Sequence, residues 1–102
     1  MDRLIVNTLP NRNHIAVFVA SEEGKPAVGL DLLNFKVRPA VAGADGAHLT
    51  ISAVAPSALR GFYVVDLAPV RRALQRKGLY VFDLIVEQGE NRGQALSSVM
   101  MT

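Results

Sequence analysis

The chain has 102 residues, of which 50% are hydrophobic and 20% are charged, and it contains no cysteine and no tryptophan. This composition supports the buried core of one domain, predicted over residues 1–102, and excludes a disordered chain, a disulfide framework and a cysteine nucleophile. The formal net charge of +2 is too small for a nucleic-acid-binding surface, which normally needs a concentrated basic face.

Short runs rich in Val, Ile, Phe and Tyr alternate with residues typical of turns, as in strands joined by tight connections. In chain order, the predicted strands cover residues 3–7, 14–20, 35–38, 48–54, 61–67, 79–87 and 92–100. Gly and Pro in segment 21–26 and Gly89 between the last two runs mark the clearest turns. This spacing predicts an all-β fold, an antiparallel β-sandwich of about seven strands, because two packed sheets let each strand bury one face.

Residues 70–77 instead predict one short helix. Pro69 is suited to the first helical position, where its missing N–H costs nothing, and Gly78 is a natural stop. Basic residues near the end of this segment suit the negative end of the helix dipole. The basic cluster consists of Arg71, Arg72, Arg76 and Lys77. We interpret the cluster as a solvated helix face, with an acidic partner, a membrane surface or phosphate as the alternatives.

Three motifs resemble those of bacterial immunoglobulin-like and fibronectin-type modules. They are EGKPAVGL at 23–30, GFYVVDLAP at 61–69 and GLYVF at 78–82. The resemblance covers about residues 12–100 and implies an immunoglobulin-like sandwich, although the two cysteines and the tryptophan of antibody domains are absent. It also makes Tyr80 a candidate for the tyrosine whose hydroxyl bonds the backbone at a strand corner. An ordinary core aromatic is the equal alternative for Tyr80.

Alternation along two strands indicates which side chains face the core. The inward rows are Tyr63, Val65 and Leu67 in one strand, and Tyr80, Phe82, Leu84 and Val86 in the other. The outward rows are also apolar and are interrupted mainly by Asp66 and Asp83. In the last strand, either Ala95, Ser97 and Val99 or Leu96, Ser98 and Met100 continue the outward face.

From these outward rows we predict an interaction face, since exposed apolar patches usually mark interfaces. Its members are Phe62, Val64, Val81 and Ile85. The alternatives are that the 70–77 helix or an N-terminal segment of the same domain covers this face, or that it forms a small-molecule groove.

No catalytic residue, metal site or cofactor is predicted. His14 and His48 lack the close spacing of metal ligands. Asp66 and Asp83 can in principle pair for acid–base chemistry or cation binding, but solvated strand positions are the favoured interpretation. No serine lies in a nucleophile elbow, and Gly43–Gly46 lacks the Lys that follows a phosphate loop.

The sequence therefore predicts a non-enzymatic, bacterial protein-interaction or assembly module that acts through a sheet face or an exposed edge strand. The predicted partner is another protein or a second copy of the chain, and no nucleic acid is expected. The alternatives are a carbohydrate-type ligand-binding module and an accessory domain of a larger enzyme. No signal peptide and no membrane-spanning stretch is recognised, so the sequence assigns no compartment.

Overall fold

Two antiparallel sheets are formed by the residues that the computed structural model describes, 3–39, 49–69 and 78–102. The strands are β1 (Leu4–Pro10), β2 (His14–Ser21), β3 (Phe35–Pro39), β4 (Leu49–Pro56), β5 (Phe62–Pro69), β6 (Gly78–Gln88) and β7 (Asn91–Met101). Within these ranges the one helical element is a 3-10 turn at Leu32–Asn34. The predicted all-β sandwich of about seven strands is confirmed. The helix predicted over residues 70–77 lies outside the described residues.

The strand order is β1-β2-β5-β4 in the four-stranded sheet and β3-β6-β7 in the three-stranded sheet. Every one of these neighbouring pairs is antiparallel. The chain passes between the sheets in the β2–β3, β3–β4 and β5–β6 connections.

The core lies between the inward rows of the two sheets. The fully buried side chains include Ile15, Val17, Val19 and Val65 from the four-stranded sheet and Leu84, Val86 and Val99 from the other. The predicted inward rows of β5 and β6 are buried, except that Tyr80 is only half-buried. Moving one of these aliphatic side chains from water into the core stabilises the folded state by about 1.5–3 kcal/mol.

β1 extends three residues beyond its predicted end at Asn7 and finishes at Pro10. Pro10 lies opposite Ile15 in the β1–β2 ladder. Because β1 is an edge strand, one side of its backbone faces away from the ladder, and a proline there removes no hydrogen bond from it. Pro10 is therefore compatible with the last position of this strand.

The two sheets approach each other closely along β1 and β7, which run parallel. A parallel bridge joins Arg3 to Arg92. Beside it, a Cβ atom added to Gly93 would collide with the carbonyl group of Leu4. Glycine is thus the residue that permits this approach of two backbones.

Asn13, in the turn between β1 and β2, ties the two sheets together at the other end of β7. Its left-handed φ of 63° is one that asparagine adopts more readily than most residues. Its N–H donates to the Met100 carbonyl at 2.8 Å, and its carbonyl accepts from the Leu67 N–H at 3.0 Å. Its side-chain amide makes two further bonds with Thr102, both at 3.0 Å. One residue thus joins β2, β5 and β7.

The hydroxyl of Tyr63 fixes the long connection between β2 and β3. It donates to the Ala27 carbonyl at 2.6 Å and accepts from the Leu30 N–H at 3.3 Å. The Tyr63 ring packs edge-on against Phe35, with 5.6 Å between ring centroids. A hydroxyl that bonds the backbone is thus found in β5, while the corner role of Tyr80 stays a prediction.

Replacing Tyr63 with Phe keeps the ring and removes the hydroxyl, so the buried Ala27 carbonyl and Leu30 N–H lose this partner. We expect the free energy of unfolding, measured by urea denaturation, to fall by about 1–3 kcal/mol. Tyr63→Leu also removes the packing of the ring and should lower the free energy of unfolding further than Tyr63→Phe does. A Tyr63→Phe protein as stable as the wild type would contradict this role.

Gly93→Ala should lower the free energy of unfolding by about 1–3 kcal/mol, because the new methyl group forces β1 away from β7. Gln94→Ala changes the next residue, which is exposed, and should alter stability by less than about 0.5 kcal/mol. The same denaturation measurement compares the two. Equal stability of both variants would show that the strands do not meet as described.

Candidate interaction surface

The four residues predicted as one interaction face lie on the outer surfaces of two different sheets. Phe62 and Val64 belong to β5 in the four-stranded sheet, whereas Val81 and Ile85 belong to β6 in the three-stranded sheet. Phe62, Val64 and Val81 alternate with the buried row of their strand, as expected, whereas Ile85 is itself buried. The single face therefore divides into two, because alternation within a strand does not report which sheet the strand joins. The interaction role itself stays a prediction.

The outer face of the four-stranded sheet has few large exposed side chains around Val64. One row crosses it from Leu9 through Ala16 and Val64 to Ala55. Phe62 packs against Phe18 of β2, with 4.6 Å between ring centroids, and both rings are half-buried. The two rings cover each other, and Ala16 separates Val64 from the larger Leu9.

A larger apolar surface, the β6–β7 patch, covers one half of the outer face of the three-stranded sheet. It consists of Leu79, Val81, Leu96 and Met100, with exposed fractions of 61%, 48%, 68% and 42%. Leu79 lies directly opposite Met100, and Val81 lies opposite Ser98. Opposite side chains on an antiparallel pair adjoin, so Leu79 adjoins Met100 directly, while Leu96 lies opposite Asp83 and diagonal to Val81. The register thus selects Leu96, Ser98 and Met100 as the outward row of β7.

The other half of this face is charged. The Lys36 Nζ atom lies 2.9 Å from Glu87 Oε1, and Arg38 Nη2 lies 3.4 Å from Asp83 Oδ2. The Lys36 ammonium, through its hydrogen bond and its charge, holds the pKa of Glu87 below the ordinary glutamate value. Ile85 lies opposite Lys36 in the β3–β6 ladder and is only 6% exposed. Ile85 therefore offers almost no surface to a partner.

In the described part of the chain, every strand edge has a feature that hinders pairing with another chain. β1 and β7 lie against each other along one side of the sandwich. β3 has five residues and carries Lys36 and Arg38. β4 has a bulge between Ile51 and Ala53 and ends at Pro56. A sheet face is thus better suited to an interaction than any of these edges.

The remaining candidate residues that the structure describes do not assemble into a chemical site. Asp66 lies on the outer face of the four-stranded sheet and Asp83 on that of the three-stranded sheet, so the sandwich separates the two carboxylates. His14 lies opposite Asp66 in the β2–β5 ladder. No group of three or more potential metal ligands occurs among the described residues. The predicted residues outside the described ranges are His48, Arg71, Arg72, Arg76 and Lys77.

Comparison with protein-family models, curated proteins and solved structures found no match to this chain. Within the described ranges, no helix has the length and apolar character needed to cross a membrane. The β6–β7 patch is an apolar area on a sheet, without a cluster of converging polar groups. Such a surface suits another protein better than a small molecule, which normally binds in a concave pocket.

Lys36→Met should raise the pKa of Glu87 toward the ordinary glutamate value, as measured by NMR titration of its side chain. Because the folded-state pKa of Glu87 is depressed, its pair with Lys36 stabilises the fold above the ordinary glutamate pKa, and this contribution is lost as the pH falls through the folded-state pKa. Lys25→Met changes a distant exposed lysine and should leave the pKa of Glu87 unchanged. If the pKa of Glu87 is the same in Lys36→Met as in the wild type, Lys36 is not the cause of its lowering.

Proposed function

We propose that this protein is a non-enzymatic assembly module of immunoglobulin-like type that associates with a second copy of itself through the β6–β7 patch. The observation that carries the proposal is that four large apolar side chains lie on one half of one outer face, each at least 42% exposed, with Leu79 directly opposite Met100. Each Å² of apolar surface that a partner covers contributes about 25 cal/mol to the free energy of association. Contiguous exposed patches of this kind usually mark interaction sites.

The immunoglobulin-like part of the proposal is supported by strand order and by the three sequence motifs. The sheets β1-β2-β5-β4 and β3-β6-β7 have the order of constant-type domains. Fold alone does not assign a function, so the functional argument comes from the patch. β6 and β7 are each 11 residues long and are paired along their whole length. Such a ladder holds the patch in one shape, which lowers the entropy cost of association.

A second copy is the partner favoured by the composition of this face. When two copies pack face to face, with Val81 and Ser98 near the centre, one apolar half covers the other. The charged halves, which include Lys36, then remain in water. At the border of the patch, Arg38 is paired with Asp83. Because this border carries both signs of charge, two identical faces meet without net like-charge repulsion.

The size of the patch sets the strength of this contact. Four side chains provide on the order of a few hundred Å², which is less than the roughly 800 Å² per partner in standard stable complexes. The proposal is therefore a weak, reversible dimer whose population rises with protein concentration.

Val81→Lys should weaken dimer formation at least about tenfold, because a charge would be buried at the centre of the contact. Sedimentation velocity over a wide concentration range measures the association. Val64→Lys is the matched control, since it makes the same change on the outer face of the other sheet, and it should associate like the wild type. Unchanged association of Val81→Lys, or a loss confined to Val64→Lys, would refute the proposal.

A further inference from the structure

We infer that the fold carries tensile load along its strands, through the seam where β1 and β7 run side by side. This β1–β7 seam consists of residues 3–13 and 92–102. Resistance to load is a property of one molecule, so it goes beyond the proposed self-association and does not depend on it.

The two strands of the seam point the same way, which fixes how a pulling force acts on them. Parallel bridges join Arg3 to Arg92 and Arg12 to Met100. Arg3 therefore lies at the end of the sandwich where both strands begin, and Thr102 lies where both strands end. A force that draws Arg3 and Thr102 apart pulls β1 and β7 in opposite directions along their common axis.

Such a force loads the cross-strand hydrogen bonds of both strands at the same time. These bonds run across the strands, so a force along the strands shears all of them together. A force across the strands instead breaks the outermost bond first, and the others follow one by one. β1 lies between β2 and β7, and β7 lies between β1 and β6. Each loaded strand must therefore slide against two neighbours before the fold can extend.

Hydrogen bonds concentrate in the seam beside Thr102, where one end of the load enters. The Asn13 N–H donates to the Met100 carbonyl at 2.8 Å, and the Met100 N–H donates to the Asn11 carbonyl at 3.1 Å. The Asn13 side-chain amide donates to the Thr102 hydroxyl and accepts from the Thr102 N–H, both at 3.0 Å. These bonds join residues 11–13 to residues 100–102 across the direction of pulling, so they resist the first movement of β7.

Two further contacts hold the seam together along its length. The Ser97 hydroxyl forms a hydrogen bond with the Thr8 hydroxyl at 3.0 Å, and Ser97 is the one polar side chain buried among the described residues. Burial strengthens such a bond, because little water competes for its partners. Near Arg3, the Leu4 carbonyl group occupies the space that a Cβ atom on Gly93 would need. The strands are thus in contact at the start, the middle and the end of the seam.

Single-molecule pulling of the full chain at constant force tests the inference. Because the chain contains no cysteine, one cysteine added at each end attaches the handles for end-to-end pulling. The second attachment combines the cysteine at the N-terminal end with Glu23→Cys, just after β2. This pair peels β1 from β2 one residue pair at a time, starting at Leu4 and Ser21. At equal force, we expect end-to-end unfolding to be at least about tenfold slower, since forced unfolding is governed by the unfolding barrier.

Asn13→Gly tests whether the seam is the source of this resistance. Glycine adopts the left-handed φ of 63° at this position without strain, while both side-chain bonds to Thr102 are lost. We expect end-to-end unfolding to become at least about fivefold faster, because two hydrogen bonds are removed. Unfolding from the Glu23 attachment should keep the wild-type rate, because peeling begins at the opposite end of β1.

Ser97→Ala is a second seam variant and should also speed end-to-end unfolding. Ser52→Ala is its matched control, because the Ser52 hydroxyl bonds the Asp66 carbonyl at 3.2 Å outside the seam, and it should unfold like the wild type in that geometry. Circular dichroism confirms that each variant is folded, and Ser97→Ala replaces Asn13→Gly if the latter is not.

Two results would overturn the inference. One is wild-type unfolding that is no slower end to end than from the Glu23 attachment. The other is an Asn13→Gly protein that unfolds faster by the same factor in both attachments, since the side chain then supports overall stability and not the load. A molecule held singly cannot dimerise, so neither result bears on the β6–β7 patch, which the sedimentation of Val81→Lys tests.

Discussion

The structure depends on the burial of one row of side chains from every strand between two sheets. In β5 and β6 these rows include Val65 and Leu84, which are completely buried. Once a strand commits alternate residues to the core, the residues between them face away from it, and a two-layer sandwich has no third layer to cover them. Val64 and Val81 are outward for this reason. Exposed apolar residues in the outward row, such as Val81, therefore add little to the core of the single molecule and remain available for contact between molecules.

The local features of this arrangement could be predicted from the sequence, whereas its long-range features could not. Alternation identified the inward rows and the outward position of Val81, because side-chain direction in a strand repeats every two residues. Sheet membership depends on pairing between distant segments, so Val64 and Val81 were wrongly assigned to one face. The choice between Val99 and Met100 as the outward residue of β7 likewise needed the register with β6.

The contacts that join the sheets were also missed, although one of them left a signal. Gly93 is a glycine inside a strand, which is typical of a close backbone approach, and the structure supplies the neighbouring strand β1. The segment from Asp31 to Asn34 has residue types suited to capping, and in the structure a capping box closes the 3-10 turn there. The partner of the Tyr63 hydroxyl had no such signal, since Ala27 and Leu30 lie more than 30 positions earlier and contribute only backbone atoms.

The central claim is that the outer face of β6 and β7 is the surface that a second copy covers. A series of ¹H–¹⁵N correlation spectra recorded at increasing protein concentration tests it most directly, because chemical shifts report contact residue by residue. We predict progressive shifts at Leu79, Val81, Leu96 and Met100, with Val64 and its neighbours on the other sheet unchanged. Shifts centred on Val64, or none on β6 and β7 at any concentration, would contradict the account.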